Sequence, residues 1–287
     1  MIIYKKCSEV NIDLVFEAFT RGFEDYIIKT KIPQDFFVKR FFGPEGNCLD
    51  LSFIALNEDK PIGVVLGGVK NYEGIKTMRC GALAIQKEYR GLGISQKLME
   101  FHKEEAIKQG CKQLFLEVIV GNDRAINFYK RLNYEKIYDQ SFYTLNDINK
   151  IQKSSELNLS IKPMDTAGLK IIREKILDVH INWQNDVDYL EKMDDQLTLA
   201  ACTENRLVGV ISMNKSGKIN FLWVNNSFRN KGIAKELILE GAKILDLSKL
   251  TLGFPNNASI QGFVKHIGFT QDQIAQYEMY YSLPSNY

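Results

Sequence analysis

The feature that most constrains the fold is an internal repeat. Arg90, Gly93 and Ser95 recur as Arg229, Gly232 and Ala234, an offset of 139 residues, and Asn122, Asn133 and Tyr134 recur as Asn257, Gly268 and Phe269, an offset of 135. Two copies of one pattern in the same order indicate a duplicated domain rather than a solenoid. With 287 residues, each copy is long enough to bury a core of its own.

A polar stretch, Asn146–Asn158, separates the two copies and is expected to be a linker. The predicted domains are therefore 1–145 and 159–287, with 146–158 between them. Within the first domain, the apolar periodicity predicts a mixture of strands and helices that ends with a strand, a helix and a strand. The predicted elements are a strand 2–6, helical segments 9–42, strands 52–56, 62–70 and 77–85, a helix 93–108, a strand 113–120, a helix 123–132 and a strand 135–145.

A glycine-bearing turn joins the 77–85 strand to the next helix. Glycine at 91 and 93 lets the backbone approach a ligand closely, because no Cβ stands in the way. N–H groups at a helix N-terminus are suited to pyrophosphate, and Arg90 can add a charged donor. A tight turn with glycine for geometry alone is the alternative.

Two motifs together resemble the GNAT superfamily of acetyl-CoA-dependent N-acetyltransferases. Arg90, Gly93 and Ser95 match the R/Q-x-x-G-x-G/A signature, with serine as the last small residue. Asn122, Ala125 and Tyr129 match the N-x-x-A-x-x-x-Y segment. Asn133-Tyr134 stands where Gly-Phe is usual. The resemblance covers most of 1–145 and, more faintly, 159–287.

The resemblance implies the α/β (α+β) class, with two tandem GNAT-like domains. Each would be a twisted mixed sheet flanked by helices and splayed between strands 4 and 5. Acetyl-CoA is implied as co-substrate, and no metal. The implied contacts are Leu83, Ala84 and Ile85 for pantetheine, and Arg90, Gly91, Leu92, Gly93, Ile94 and Ser95 for the pyrophosphate. Asn122 is a further implied contact of the cofactor.

Acetyl transfer to an amine needs two proton movements, because an alkylamine with a pKa near ~10 must lose a proton and the leaving thiolate is better released with one. The Glu117 to Tyr129 arrangement looks like that of the ribosomal-protein N-terminal acetyltransferases. Glu117 is therefore the candidate base, through water, and Tyr129 the candidate acid. The alternatives are a solvated strand residue for Glu117 and a core aromatic for Tyr129.

The second copy has Leu252 and Val264 at these two positions, so it looks like a GNAT-like domain without the acid–base pair. It could bind CoA weakly, shape the acceptor site or support the first domain; support is the default expectation. Two other hypotheses stay open: a non-catalytic acyl-CoA-binding or regulatory module, and activity in the C-terminal domain.

Composition narrows the partners. Lys plus Arg count 37 and Asp plus Glu 35, a near-balance that predicts no nucleic-acid binding. The longest mostly aliphatic run, Ile62–Val69, is far shorter than a membrane span, so no membrane partner is expected. The expected partner is a small-molecule or peptide amine, and the protein a monomer or homodimer. Five scattered cysteines and no signal-like start predict a reduced, cytoplasmic protein.

Three weaker expectations concern the helical segments. The phenylalanines of 19–42 should mostly be core. Glu24 and Asp25 could attract a cationic amine, although a solvated surface position is the simpler expectation. His102 should be a partly packed surface residue.

Overall fold

The computed structural model describes residues 1–28, 31–152, 158–176 and 179–284 and divides the chain into two compact units. The first unit is Met1–Tyr138 together with Gln276–Tyr287, and the second is Asp139–Ala275. Each is a mixed sheet with helices against it, so the predicted fold class is confirmed.

The first unit contains strands β1 to β5 and helices α1 to α4. Their bounds are β1 Ile2–Lys6, α1 Ile12–Gly22, α2 Gln34–Phe41, β2 Cys48–Asn57, β3 Lys60–Tyr72, β4 Ile75–Ile85, α3 Ile94–Lys108, β5 Gln113–Ile119 and α4 Asp123–Arg131. The sheet order is β1-β2-β3-β4-β5, antiparallel except for the parallel pair β4–β5. The predicted helix after the glycine turn is confirmed within one residue of its start.

Both faces of this sheet are covered because its central strands are apolar on both sides. One face packs against α1 and α2, where Val15, Ala18 and Phe37 meet Ala82 and Ala84 of β4. The other packs against α3 and α4, through a cluster that includes Ile94, Leu98, Ile126, Tyr129 and, from β4, Cys80. Alternate residues of β4 therefore reach two different helical layers.

The second unit repeats this order. Its elements are β6 Glu135–Leu145, shared with the first unit, β7 Ser160–Pro163, α5 Thr166–Glu174, α6 Val187–Leu190, β8 Gln196–Thr203, β9 Arg206–Asn214, β10 Lys218–Val224, α7 Ile233–Ile244, β11 Leu250–Pro255, α8 Ala258–His266 and the start of β12 Thr270–Ser282. The sheet order is β6-β11-β10-β9-β8-β7, with β10–β11 as the parallel pair.

The end of β12 belongs to the first unit. Residues from Gln276 to Ser282 pair antiparallel with β5, while Gln140–Leu145 of β6 pairs with β11 of the second unit. The two copies have thus exchanged their last strands. The two compact units therefore do not follow the predicted boundaries of 1–145 and 159–287, because β5 pairs with the second half of β12.

The predicted linker falls partly outside the described residues, which exclude 153–157. Before them, Ile148–Lys150 form a short 3₁₀ turn, Ile151 is buried, and the Ile148 N–H donates to the Ser248 carbonyl at 2.9 Å. The start of this polar stretch is therefore packed on the second unit.

The expectation for His102 is wrong. His102 lies on the inner face of α3 and is fully buried, and this burial lowers its pKa to about 4.

The phenylalanines of the helical segments are closer to the expectation of core positions. Phe37 is fully buried and contacts Phe16, Phe19, Phe41 and Phe42, although Phe36 is 46% exposed. In the part of the chain that the structure describes, no helix is both long and apolar enough to span a membrane.

Met279 tests the attachment of the last strand to the first unit. It is fully buried in the α3 and α4 cluster, opposite Leu116 of β5. We expect Met279→Ala to lower the free energy of unfolding by about 2–5 kcal/mol, as for other buried large-to-small changes. Urea unfolding followed by far-UV circular dichroism measures this, and hydrogen exchange at Gln113–Ile119 should become faster.

The control is Ser282→Ala on the same strand, whose side chain is exposed. Its stability should stay within about 0.5 kcal/mol of the wild type. Equal effects of the two changes would contradict the packing of β12 on β5.

Candidate functional site

The site is organised by an opening in the sheet of the first unit. The parallel pairing of β4 with β5 runs only from Thr77–Gln113 to Cys80–Leu116. At the same point the β3–β4 register shifts, with Leu66 opposite Ala82 and Gly67 opposite Cys80, so Gly81 is the extra residue of a β-bulge. A bulge bends its strand and increases its twist. We call the opening beyond Cys80 the β4–β5 gap.

Leu83, Ala84 and Ile85 form the β4 side of this gap. Each still pairs with β3, opposite Val65, Val64 and Gly63, so the strand stays fixed on one side while its other edge faces the gap. Strand edges of this kind offer backbone N–H and C=O groups to an extended ligand.

The turn after β4 has the geometry of an anion-binding loop. Gly91 and Gly93 have φ values of 81° and 79°, in the left-handed region, and a Cβ on either would meet no atom within 4 Å. The first helical hydrogen bond of α3 runs from the Lys97 N–H to the Gly93 carbonyl at 3.0 Å. The N–H groups just before it, including those of Ile94 and Ser95, therefore point outward without an intrahelical acceptor.

The Arg90 side chain is placed differently from the sequence expectation. Its Nε donates to the Ile85 carbonyl at 3.0 Å, and its terminal nitrogens donate to the Gly22 carbonyl and to both carboxylate oxygens of Asp25. This contact lowers the pKa of Asp25 to about 2. Arg90 therefore ties the turn to α1, and the donors that face outward are the backbone N–H groups. Asp25, one of the two residues considered for attracting an amine, is the partner of Arg90.

Tyr129 lies on α4 and is buried in the same cluster as Cys80, the last β4 residue that pairs with β5. Burial raises the pKa of its hydroxyl well above the ordinary value, and the nearby Cys80 and Tyr26 add to the shift. The hydroxyl is therefore protonated at neutral pH. Burial also raises the pKa of Cys80 to about 12, so this thiol is not ionised.

Asn122 begins α4. Its side-chain oxygen accepts a hydrogen bond from the Ala125 N–H at 3.3 Å, and in the second unit Asn257 accepts one from the Ile260 N–H at 3.1 Å. Both are N-cap residues, which explains their recurrence in the repeat.

Glu117 is not the solvated strand residue considered as an alternative. Its side chain is 5% exposed and receives two hydrogen bonds from Arg79 of β4, at 3.0 Å from Nε and 2.6 Å from Nη2. The Nη1 of Arg79 donates to the Glu45 carboxylate at 2.8 Å. Burial raises the pKa of Glu117; Arg79 opposes this shift, while Glu278 and Glu45 add to it.

Glu278 comes from β12, stands directly opposite Glu117 in the register and is fully buried. It accepts a hydrogen bond from the Tyr280 hydroxyl at 3.0 Å. Arg79, Glu45 and Glu278 were not among the residues selected from the sequence. Arg79 had a signal, since it is the one charged residue of the predicted apolar strand 77–85, but the other two depend on contacts between distant parts of the chain.

The second unit keeps the backbone of the site without its chemistry. Asn230 and Gly232 have φ values of 62° and 80°, and the β9–β10 register shifts between Ile219 and Phe221. Leu252 and Val264, at the positions of Glu117 and Tyr129, are core residues. The Asn185 Nδ2 donates to the Gly253 carbonyl at 2.8 Å, one residue beyond the last β10–β11 pair.

Both halves of the chain match family models. One, described as "Acetyltransferase (GNAT) family", matches residues 13–134, and another, described as "Acetyltransferase (GNAT) domain", matches residues 179–279.

Among curated relatives, the N-alpha-acetyltransferase 30 of Schizosaccharomyces pombe is 35% identical over 111 residues, which are 37% of this chain and 72% of the relative. The protein of the same name from Saccharomyces cerevisiae is 26% identical over 121 residues, which are 40% of this chain and 68% of that relative.

Solved structures share the two-unit fold. A tandem GNAT protein from the clavulanic acid biosynthesis pathway superimposes with a TM-score of 0.69 at 13% identity, covering 100% of this chain and 99% of that one. A GCN5-related N-acetyltransferase from Sphaerobacter thermophilus also gives 0.69, at 11% identity over 98% and 95%. At these identities the likeness concerns the fold.

The buried Arg79 network predicts a pH-dependent loss of stability. We expect Arg79→Met to cost about 3–5 kcal/mol, because it leaves buried carboxylates without their cation. A carboxyl whose pKa is higher in the folded than in the unfolded state stabilises the fold below the unfolded pKa and loses that contribution as the pH rises through the folded pKa. Removing Arg79 raises the pKa of Glu117 further, so the loss should be larger at pH 8 than at pH 5.

Urea unfolding at the two pH values measures this difference. The control is Lys76→Met, an exposed position on the same strand, which should change little at either pH. A loss for Arg79→Met that is independent of pH would contradict the role of the carboxylates.

Proposed function

Since the chain belongs to the acetyltransferase (GNAT) family and is an acetyl-CoA-dependent acyltransferase, we propose that its first unit transfers the acetyl group to a primary amine of a small molecule or peptide by direct attack. The observation that carries this proposal is the β4–β5 gap, with a buried phenol, Tyr129, in the α3 and α4 layer and a buried carboxylate, Glu117, held by Arg79. The names of the two yeast relatives favour an α-amino group as the acceptor.

The residues of the first unit fit acetyl-CoA. The open space at Gly91 and Gly93 and the outward N–H groups that follow suit a pyrophosphate. The edge of Leu83–Ile85 that faces the gap, which pairs with no strand among the described residues, suits a pantetheine arm that can add to it as a strand does. Acetyl-CoA supplies the thioester, and the protein supplies its orientation and its proton transfers.

Glu117 and Tyr129 are the proposed base and acid of the two transfers. A carboxylate with a raised pKa is a stronger base than an exposed one, so Glu117 can take the amine proton through water. Tyr129 stays protonated at neutral pH and can donate to the departing sulfur. Backbone N–H groups of β4 beside the bulge would polarise the thioester carbonyl.

The second unit is proposed to support the first rather than to catalyse. Leu252 and Val264 carry no transferable proton and lie in its core. Asn185 donates to the Gly253 carbonyl of β11, the strand that corresponds to β5, one residue past the last β10–β11 pair. The cytoplasmic location and the monomeric or homodimeric state stay predictions from the sequence.

The binding site is tested by a matched pair of glycine variants. Gly93→Val places a β-branched side chain in the proposed pyrophosphate turn, and Gly232→Val does the same in the second unit. Their φ values, 79° and 80°, are nearly equal, so both changes carry the same backbone strain of about 1–3 kcal/mol. We expect Gly93→Val to weaken acetyl-CoA binding by calorimetry at least about tenfold, or roughly 1.4 kcal/mol, and Gly232→Val to leave it unchanged.

The reverse result, with binding lost only in Gly232→Val, would assign the acetyl-CoA site to the second unit. Binding that survives in both variants would contradict the proposed turn. Circular dichroism of both proteins establishes that they are folded.

The acid is tested by Tyr129→Phe, which keeps the ring and removes the hydroxyl. General acid catalysis contributes about 10²–10⁴-fold, so kcat should fall about 100-fold or more while acetyl-CoA affinity stays unchanged. The measurement is kcat with an amine identified from a panel by the release of free CoA thiol. If the wild-type protein binds acetyl-CoA but releases no CoA thiol with any amine of the panel, neither unit would be supported as a transferase. That result would favour the non-catalytic acyl-CoA-binding alternative.

The control is Tyr134→Phe. Tyr134 belongs to the same buried cluster, with its ring centroid 5.8 Å from that of Tyr129, so this variant also loses a buried hydroxyl. Its kcat should stay near the wild-type value. Equal rates for Tyr129→Phe and the wild type would remove Tyr129 from the mechanism.

A further inference from the structure

Asn47 holds a buried polar atom that the proposed mechanism has not yet used. The residue ends the turn between α2 and β2 and is 5% exposed. Its backbone N–H and its side-chain Nδ2 both donate to the Phe41 carbonyl, at 3.1 and 2.8 Å. These bonds fix the orientation of the amide, so its Oδ1 points the opposite way. Among the described residues, that oxygen has no hydrogen-bond partner.

The oxygen lies over Gly81. A Cβ at position 81 would collide with the Asn47 amide, so glycine at the β4 bulge is what allows the amide to lie against the strand. A buried amide oxygen without a donor costs about 1–3 kcal/mol, which is why nearly all such atoms in folded proteins have a partner. An N–H group brought by a ligand would satisfy it.

Gly81 is the first residue of β4 beyond the last β4–β5 pair. Tyr129 packs with Cys80 in the layer formed by α3 and α4. Asn47 follows α2, whose Phe37 packs with Ala82 in the opposite layer. The proposed acid and the Asn47 oxygen therefore reach the start of the gap from opposite faces of the sheet. This is the arrangement required if the leaving sulfur lies on one side and the nucleophile arrives from the other.

The charge around Asn47 favours a cationic ligand. Glu45, in the same turn, is held by Arg79, which also binds Glu117, and Glu278 stands opposite Glu117. Among the described residues, this cluster holds three buried carboxylates, the buried guanidinium of Arg79 and the half-exposed guanidinium of Arg40, which pairs with Glu45 at 3.4 Å. A carbonyl oxygen beside excess negative charge is suited to N–H donors that carry positive charge.

We infer that the Asn47 Oδ1 accepts a hydrogen bond from the protonated acceptor amine and holds it at Gly81, on the face opposite Tyr129. The acceptor is accordingly a cationic primary amine, such as the free α-amino group of a peptide. This inference rests on the proposed function and adds the group that receives the substrate.

The test uses the full-length protein, as wild type, Asn47→Leu and Asn47→Asp. Tetrapeptides with varied first residues and free α-amino groups are titrated into each protein saturated with CoA, and the same peptides with an N-formyl group serve as the ligand control. KM for the free-amine peptides and acetyl-CoA affinity are measured in parallel. Both variants lose the Nδ2 bond to Phe41, but only Asn47→Asp keeps an oxygen that can face Gly81.

We expect Asn47→Leu to weaken binding of the free-amine peptides and to raise their KM by about tenfold or more, since hydrogen bonds to charged groups are among the stronger ones. Asn47→Asp should bind them at least as well as the wild type. Acetyl-CoA affinity should be the same in all three proteins, and the formylated peptides should bind weakly to each.

Equal losses in both variants, together with weaker acetyl-CoA binding, would show that Asn47 only anchors the turn and would overturn the inference. A wild-type KM in Asn47→Leu would overturn it while the proposed acetyl transfer stands. Asn47-dependent binding of free-amine peptides that are never acetylated would support the inference and overturn the proposed function instead.

Discussion

The parallel pairing of β4 with β5 stops after Cys80 and Leu116, and the other parts of the site depend on this opening. The bulge at Gly81 allows it, since an extra residue bends β4 while its pairing with β3 continues on the other side. Alternate residues of β4 then reach different layers, so a phenol in one layer and a carboxylate network containing Arg79 both lie at one short stretch of strand. A continuous ladder would close this space with its own hydrogen bonds.

The two units show that this backbone and the chemistry placed on it are separable. Both have an early end to the parallel pair, a bulge beside it and a left-handed turn after it. In the first unit the ladder next to the gap brings Glu117 opposite Glu278, with Arg79 to balance them. The corresponding ladder of the second unit brings Leu252 opposite Tyr143, whose ring stacks on Phe254. A buried charge is stable only with its partners, so an apolar substitution at one position favours apolar substitutions at the others.

The sequence predicted the parts of this structure that depend on neighbouring residues. Strand and helix periodicity is local, and these elements have the predicted form. The left-handed glycines of the turn and the caps at Asn122 and Asn257 are local too, but these conformations were not predicted from the sequence. The exchange of the last strands could not be predicted in this way. β6 and β12 follow equivalent helices with equivalent patterns, so either strand suits either parallel pair. Glu278 was missed for that reason, and Asn47 because its role depends on where the α2–β2 turn meets the β4 bulge.

The turn motif in the second unit is explained without a ligand. The Arg90 Nε donates to the Ile85 carbonyl at 3.0 Å, and the Arg229 Nε donates to the Val224 carbonyl at 3.3 Å, the same five-residue step in each copy. Left-handed residues at 91 and 93, and at 230 and 232, are what the chain needs to turn from a strand into a helix here. The arginine and the glycine of this motif therefore have a structural role in both units. The motif alone indicates the fold, and the assignment of the active unit depends on Glu117, Tyr129 and the open edge of β4.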